Sequence, residues 1–212
     1  MKLYNANFSP NALRVRAVAL ELDIDLEIIE VDLRGGDNRK DDFLALNPNA
    51  KIPVLQDGDF VVWESRAINS YLASKKPERG MYPDDHPKAR AVVDQWLYWQ
   101  TIHLGPAMQK LSFERFLKSK FGMGEPDQAV IDAEVKNVDQ FLAVLETGLE
   151  GKDWIADDLS VADFALASTF MYRAQSGITL DDLPNVAAWI ERLESRKSWQ
   201  DAFAPVLALF GG

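Results

Sequence analysis

The stretch NPNAKIPVLQDGDFVVWESRAI, residues 47–68, holds two short apolar runs either side of Asp57-Gly58. Asp-Gly between apolar runs signals a hairpin, because glycine tolerates the positive φ of a type I′ turn. Val54-Leu55-Gln56 and Phe60-Val61-Val62-Trp63 are therefore read as two paired strands. Pro53 stands where the first of them begins; a proline cannot donate to a strand ladder and belongs at a strand start or an edge. Glu64-Ser65 ends the second strand, and Ser65 is a good N-cap for a helix from Arg66 to about Ser74.

Working backwards, Lys2 to Asn5 reads as a strand, Pro10 to about Leu22 as a helix with Leu13, Ala17 and Leu20 on one face, and Leu26 to Val31 as a second strand. Together they make a βαβ unit near the minimum size. Arg34 to Arg39 is a polar, Gly-containing loop, and a short helix over Asp42 to Leu46 stops before Pro48. The order β-α-β, loop and helix, β-β-α is buried economically by a mixed four-stranded sheet with helices on its faces. Lys75-Lys76-Pro77-Glu78-Arg79-Gly80 marks a boundary.

Beyond that boundary the pattern is helical. Pro87 suits a first helical position, and Val92, Val93, Trp96, Trp99 and His103 recur at helical steps. Pro106 is expected to kink or interrupt that helix. Ile131, Val135, Val138, Leu142, Leu145 and Leu149 form an amphipathic stripe. Ser160-Val161-Ala162-Asp163 is a capping box with Asp in the place of Glu or Gln. Two shorter helices, about Val186 to Glu194 and Ser198 to Leu209, follow. The expected organisation is an α/β domain over 1–76, a linker over 77–87 and an all-helical domain over 88–212.

The 212 residues carry a formal net charge of -10, which argues against a nucleic-acid backbone or an anionic membrane surface as partner. No run of 18 apolar residues spans a membrane, and Met1-Lys2-Leu3-Tyr4-Asn5 enters a strand pattern directly, so a cytoplasmic location is expected. There is no cysteine, and His86 and His103 are the only histidines. A disulfide framework, a Cys- or His-rich metal site and a protein thiol nucleophile are all excluded. Any thiol chemistry must use a thiol that a ligand brings.

Three features of the first domain ask for one explanation. If the Ile52-Pro53 bond is cis, the Ile52 backbone faces outward, where an extended peptide can pair with it; a trans proline would merely start a strand. Glu64-Ser65 lies at a helix N-terminus, which favours an anion, so Ser65 can meet a carboxylate while Glu64 meets an ammonium; otherwise Ser65 is only a cap. Arg39, Lys40 and Lys51 offer positive charge for a second carboxylate, or are solvated surface. An amino-acid head group, a strand-like middle and a second carboxylate together describe glutathione.

Residues 47–58 followed by Trp63-Glu64-Ser65-Arg66-Ala67-Ile68 strongly resemble the glutathione-binding half of cytosolic glutathione transferases, with closest likeness to bacterial members and the plant phi class. The likeness extends over nearly the whole chain, the Ser160–Asp163 box falling at the opening of that family's sixth helix. It implies a thioredoxin-like domain followed by an all-helical domain. It further implies that Glu64 and Ser65 hold the γ-glutamyl group, that Ile52 before Pro53 pairs with the cysteinyl backbone, and that Lys51 and Arg39 meet the glycyl carboxylate. Ser9-Pro10-Asn11-Ala12-Leu13-Arg14-Val15 resembles the serine-type catalytic motif. A hydroxyl donated to the glutathione sulfur favours thiolate over thiol; Ser9 is one candidate donor and Asn11, as in asparagine-type relatives, the other. By family position His103, Phe113 and Phe116, with Phe121, border the electrophile pocket.

The expected activity is conjugation of the glutathione thiolate to small hydrophobic electrophiles by a homodimer, with glutathione as co-substrate and no metal. A glutathione-dependent disulfide or peroxide reductase and a non-catalytic ligand-binding relative are the alternatives.

Overall fold

A computed structural model describes residues 1–208, which fall into two compact units: one runs from Met1 to Asp85 and resumes at Glu194, the other is His86–Leu193.

The first unit is built on four strands, β1 (Lys2–Asn5), β2 (Glu27–Glu30), β3 (Val54–Asp57) and β4 (Phe60–Trp63), in the order β2-β1-β3-β4. β2 runs parallel to β1, while β3 is antiparallel to both β1 and β4. Side chains alternate between faces. The paired Leu3 and Leu55 are completely buried on one face, each burial stabilising by about 1.5–3 kcal/mol. On the other face Val54 packs with Val31, Phe43 and Tyr4, and the Tyr4 and Phe43 rings meet edge-on at 5.9 Å. Phe43 lies on the short helix α2 (Asp41–Leu46), whose six residues are held by that contact rather than by propensity.

Helix α1 (Pro10–Glu21) is buried from Ala12 to Ala19, arginines included, because α3 (Ser65–Ser74) and the last helix, α10 (Lys197–Leu207), both pack against it. Arg16 Nη1 and Nη2 bond Asn5 Oδ1 and the Ala202 carbonyl, while its Nε is buried without a hydrogen-bond partner among the described residues. Glu21 receives Arg196 and Ser198. The last helix therefore belongs to the α/β unit. Its expected end, Leu209, lies outside the described residues.

In the second unit one helical rod runs from Pro87 to Lys120: α4 (Pro87–Trp99), a π turn (Gln100–Leu104), α5 (Gly105–Ser112), a second π turn (Phe113–Leu117) and α6 (Lys118–Lys120). The expected break at Pro106 takes the form of the first π turn, whose wider loop accommodates the missing proline N–H while the rod continues. α7 (Gln128–Gly148) lays Ile131, Val138, Leu142 and Leu145 inward and packs on α5. The Gly148 backbone comes so close to Trp96 that a Cβ would lie 2.6 Å from the indole. α8 (Val161–Ala167) is buried on every side. Its capping box forms as read, with Asp163 accepting from the Ser160 N–H and hydroxyl and also from Ile155 N and Trp189 Nε1. α9 (Pro184–Glu194) brings Trp189 to that carboxylate.

Candidate active site

The strand register gathers the sequence-predicted residues of the first unit. Tyr4 pairs with Val54 and Val54 with Trp63, so the end of β1, the start of β3 and the end of β4 lie in one row. β2 ends beside them, Asn5 pairing with Glu30. Four segments meet at this edge: the turn to Ser9, the loop from Val31 to Lys40, the entry through Lys51, Ile52 and Pro53, and the exit through Glu64 and Ser65. Binding sites favour the carboxyl ends of parallel strands, here β1 and β2.

Ser9 is the N-cap of α1 with Pro10 at the first helical position. Its Oγ accepts from Ala12 N at 3.3 Å. A hydroxyl has one hydrogen to donate and two lone pairs, so this bond leaves the Ser9 hydrogen available. Ser9 is buried, whereas Asn11, two residues further, is exposed.

The Ile52–Pro53 peptide bond is cis, with Pro53 buried and Ile52 half-buried. Two asparagines that the sequence reading did not single out hold the preceding loop. Buried Asn47 donates to Lys51 O at 2.7 Å and accepts from the Asn49 N–H and side-chain amide at 3.0 Å. Asn38 donates to Ala50 O at 2.7 Å, where Ala50 has φ 54°. Asn38 Oδ1 is buried without a hydrogen-bond partner among the described residues. An Asn just before Pro48 is a turn signal that sequence could have offered for Asn47; nothing local marks Asn38.

Of the three loop cations, Lys40 is committed to Asp37 at 2.6 Å, while Arg39 and Lys51 are exposed. Lys40 is held above its ordinary pKa by the Asp37 hydrogen bond and charge.

Ser65 differs from its expected role. It is the first residue of α3, and Glu64, at φ 71° and ψ 110°, occupies the cap position. The bent Glu64 backbone ends β4 and starts the helix without a spacer residue. Such a conformation in a non-glycine residue costs of order 1–3 kcal/mol and concentrates at functional sites. Ser65 is buried, and its Oγ accepts from Arg14 Nη1 at 3.2 Å. Burial pulls the Arg14 pKa down, Arg66 adds to the fall and Glu64 opposes it. Arg66 is likewise pulled down to about 10 by burial, with Glu64 opposing. An exposed carboxylate with two guanidinium groups behind it suits a zwitterionic head group.

In the helical unit the expected pocket residues do not form one cluster. The His103 ring is exposed and lies 5.4 Å from Phe141 and 6.2 Å from Trp99. Phe113 and Phe116 are on the second π turn, roughly 15–20 Å further along the rod at 1.5 Å per residue. Phe116 meets Tyr172 at 5.6 Å and carries Lys120 over its ring at 5.5 Å. Among the described residues no group of three His, Cys, Asp or Glu is arranged to hold a metal ion.

Residues 1–74 match the N-terminal domain of glutathione S-transferase, and residues 102–197 match the C-terminal domain. Glutathione S-transferase 3 of Zea mays is 36% identical over 211 residues, 97% of this chain and 94% of that protein. Among solved structures, glutathione S-transferase-I bound with lactoylglutathione superimposes with a TM-score of 0.88 at 30% identity, covering 96% of this chain and 98% of that one. Glutathione S-transferase I from maize in complex with an atrazine glutathione conjugate gives 0.88 at 31% identity, with 96% of each chain covered.

Proposed function

Because the chain belongs to the glutathione S-transferase family, we propose that it binds glutathione at the common edge of β1, β3 and β4 and adds the thiolate to small hydrophobic electrophiles. The observation that carries this reading is the convergence of Ser9, Ile52-Pro53 and Glu64-Ser65 on that edge. The γ-glutamyl carboxylate is assigned to Ser65 and its ammonium to Glu64. The cysteinyl backbone is assigned to Ile52 and the glycyl carboxylate to Lys51 and Arg39. Lys40 is left out because Asp37 holds it.

Ser9 is assigned the hydrogen bond to sulfur, since its hydroxyl hydrogen is available and the N-terminus of α1 favours an anion. A thiol of pKa about 8.5 is only about 3% ionised at pH 7, and a downward shift of about two units raises that to about three quarters. The electrophile is assigned to the helical rod that carries the exposed His103 and the half-buried Phe113 and Phe116. Tyr98 and Ile102 are 67% and 65% exposed, four residues apart on one helix face. Apolar residues so placed fit an interface, which supports a homodimer; light scattering giving the 23.8 kDa of one chain would contradict it. No helix among the described residues is long and apolar enough to cross a membrane.

The test is turnover with glutathione on a panel of aryl halides, epoxides, isothiocyanates, peroxides and mixed disulfides. Conjugation of at least one electrophile is expected. Reduction of disulfides or peroxides without conjugation would overturn the conjugating role in favour of a reductase, and failure to bind immobilised glutathione would overturn both.

A further inference from the structure

Leu111 on α5 and Val138 and Leu142 on α7 are buried where the two helices pack. A cleft of about 320 Å³ opens between these helices and the connection from Gly177 to Leu183. Half-buried Val135, Ile178 and Leu183 complete its aliphatic lining. That volume is at the lower end of the range for small-molecule sites. All of its residues belong to the helical unit, and His103, Phe113 and Phe116 are not among them.

The exposed rim carries Arg115, Asp139 and Asp182. Arg115 is turned to the loop instead of the carboxylates, its Nη1 donating to Ser176 O at 2.6 Å. Gly177, at φ 65°, leaves room for that contact, since a Cβ there would lie 3.4 Å from the same nitrogen. Lys110 and Lys118, on the same rod as Arg115, are held by Glu134 and Glu114. Among the described residues neither Asp139 nor Asp182 makes a hydrogen bond or an ion pair. Two unneutralised carboxylates therefore stand at the mouth of an aliphatic cleft.

This combination selects among ligands by charge. The two carboxylates repel an anion, in a chain whose formal net charge is already -10. A zwitterion needs the guanidinium that the Ser176 carbonyl holds. A primary ammonium brings the missing charge with three donors, enough to serve both carboxylates. We propose that the cleft is a second ligand site for a small amphipathic cation, a primary ammonium on an aliphatic body. The body lies against Leu111, Val138 and Ile178, and the ammonium meets Asp139 and Asp182.

Amide NMR of the full chain tests this with butyl-, pentyl- and hexylammonium, hexan-1-ol, hexanoate and L-leucine as probes. Hexylammonium is expected to shift the amides of residues 135–142 and 177–183. Each added methylene should tighten binding by up to about fourfold. An exposed ion pair contributes at most about fivefold, so Asp139→Asn combined with Asp182→Asn should weaken hexylammonium by roughly three- to thirtyfold. Hexanol binding should be unchanged in that variant, whose two substitutions are on the surface. Added salt should weaken hexylammonium and spare hexanol. Hexanol or hexanoate binding as tightly as hexylammonium, or an asparagine variant that holds hexylammonium undiminished, would overturn the cation assignment. L-leucine binding more tightly than hexylammonium would do the same, by showing that Arg115 is recruited. Shifts absent from both segments, or no gain along the alkyl series, would overturn the site itself.

Discussion

Replacing Ser9 by alanine removes two things that the structure lets one estimate separately. The first is the N-cap of α1. At 3.3 Å from Ala12 N the cap bond is long, so its loss should cost near the low end of the usual range, about 0.5–1 kcal/mol of stability. The second is the hydroxyl hydrogen offered to sulfur. A hydrogen bond to a charged group contributes about 1.5–3 kcal/mol, which corresponds to roughly one to two pKa units. From a bound-thiol pKa near 6.5, the thiolate fraction at pH 7 would fall from about three quarters to between about 20% and 2%. Turnover falls by less than the thiolate does, because the more basic thiolate is the better nucleophile. The direct readout is therefore the ultraviolet absorbance of bound thiolate against pH, taken for Ser9→Ala, Ser9→Gly and Asn11→Ala. Glycine caps almost as well as serine, so an equal titration shift in Ser9→Gly separates the donor from the cap. Glutathione affinity should change little, since the lost bond favours the anion. If Asn11→Ala moves the titration and Ser9→Ala leaves it in place, the serine assignment is wrong and the exposed asparagine is the donor.

Other outcomes follow from the same geometry. Ser65→Ala should cost about 1.5–3 kcal/mol of glutathione affinity and Arg39→Ala less, because an exposed charge contributes at most about 1 kcal/mol; titration calorimetry showing equal losses would count against the assigned contacts. Burial acts to raise the Glu21 pKa, but hydrogen bonds from Arg196 and Ser198, with the charges of Arg196 and Arg79, hold it below the ordinary value. Its contribution is thus fully present above the unfolded pKa of about 4.3 and is lost as pH falls through the depressed value. The melting-temperature gap between the unmutated protein and Glu21→Gln should close on acidification, and a gap independent of pH would refute this. Asp163→Ala strands the Ile155 and Ser160 N–H groups and Trp189 Nε1 inside the helical unit. With each buried donor left unpaired costing about 1–3 kcal/mol, a loss of at least about 3 kcal/mol is expected in urea unfolding, and a loss below about 1 kcal/mol would show that those donors find other partners.

What sequence determined is what neighbouring residues settle among themselves. The hairpin formed where the sequence placed it, though its turn is Gly58-Asp59 with only Gly58 at positive φ, because Asp57 already pairs with Phe60. Pro10 and Pro87 opened helices, and Ser160 with Asp163 closed a capping box, each through contacts within a few residues. The strand-helix order then left few ways to assemble the sheet, and the motif from Asn47 to Ile68 pointed to the ligand. Tertiary structure decided matters that depend on residues far apart. Ser65 became the first helical residue rather than the cap because Glu64, between β4 and α3, takes a positive φ. Arg14 stands in the sequence as part of the serine-type motif that begins at Ser9; only the approach of α3 gives it Ser65 as an acceptor. Asn38 acquired a carbonyl partner twelve residues on, and the last helix joined the α/β unit through Arg16 and Glu21. His103 shares a helical rod with Phe113 and Phe116, yet rise per residue alone keeps it roughly 15 Å from the nearer one. A local pattern fixes an element because its bonds close within the pattern; a buried charge finds its partner only when separate elements are packed together.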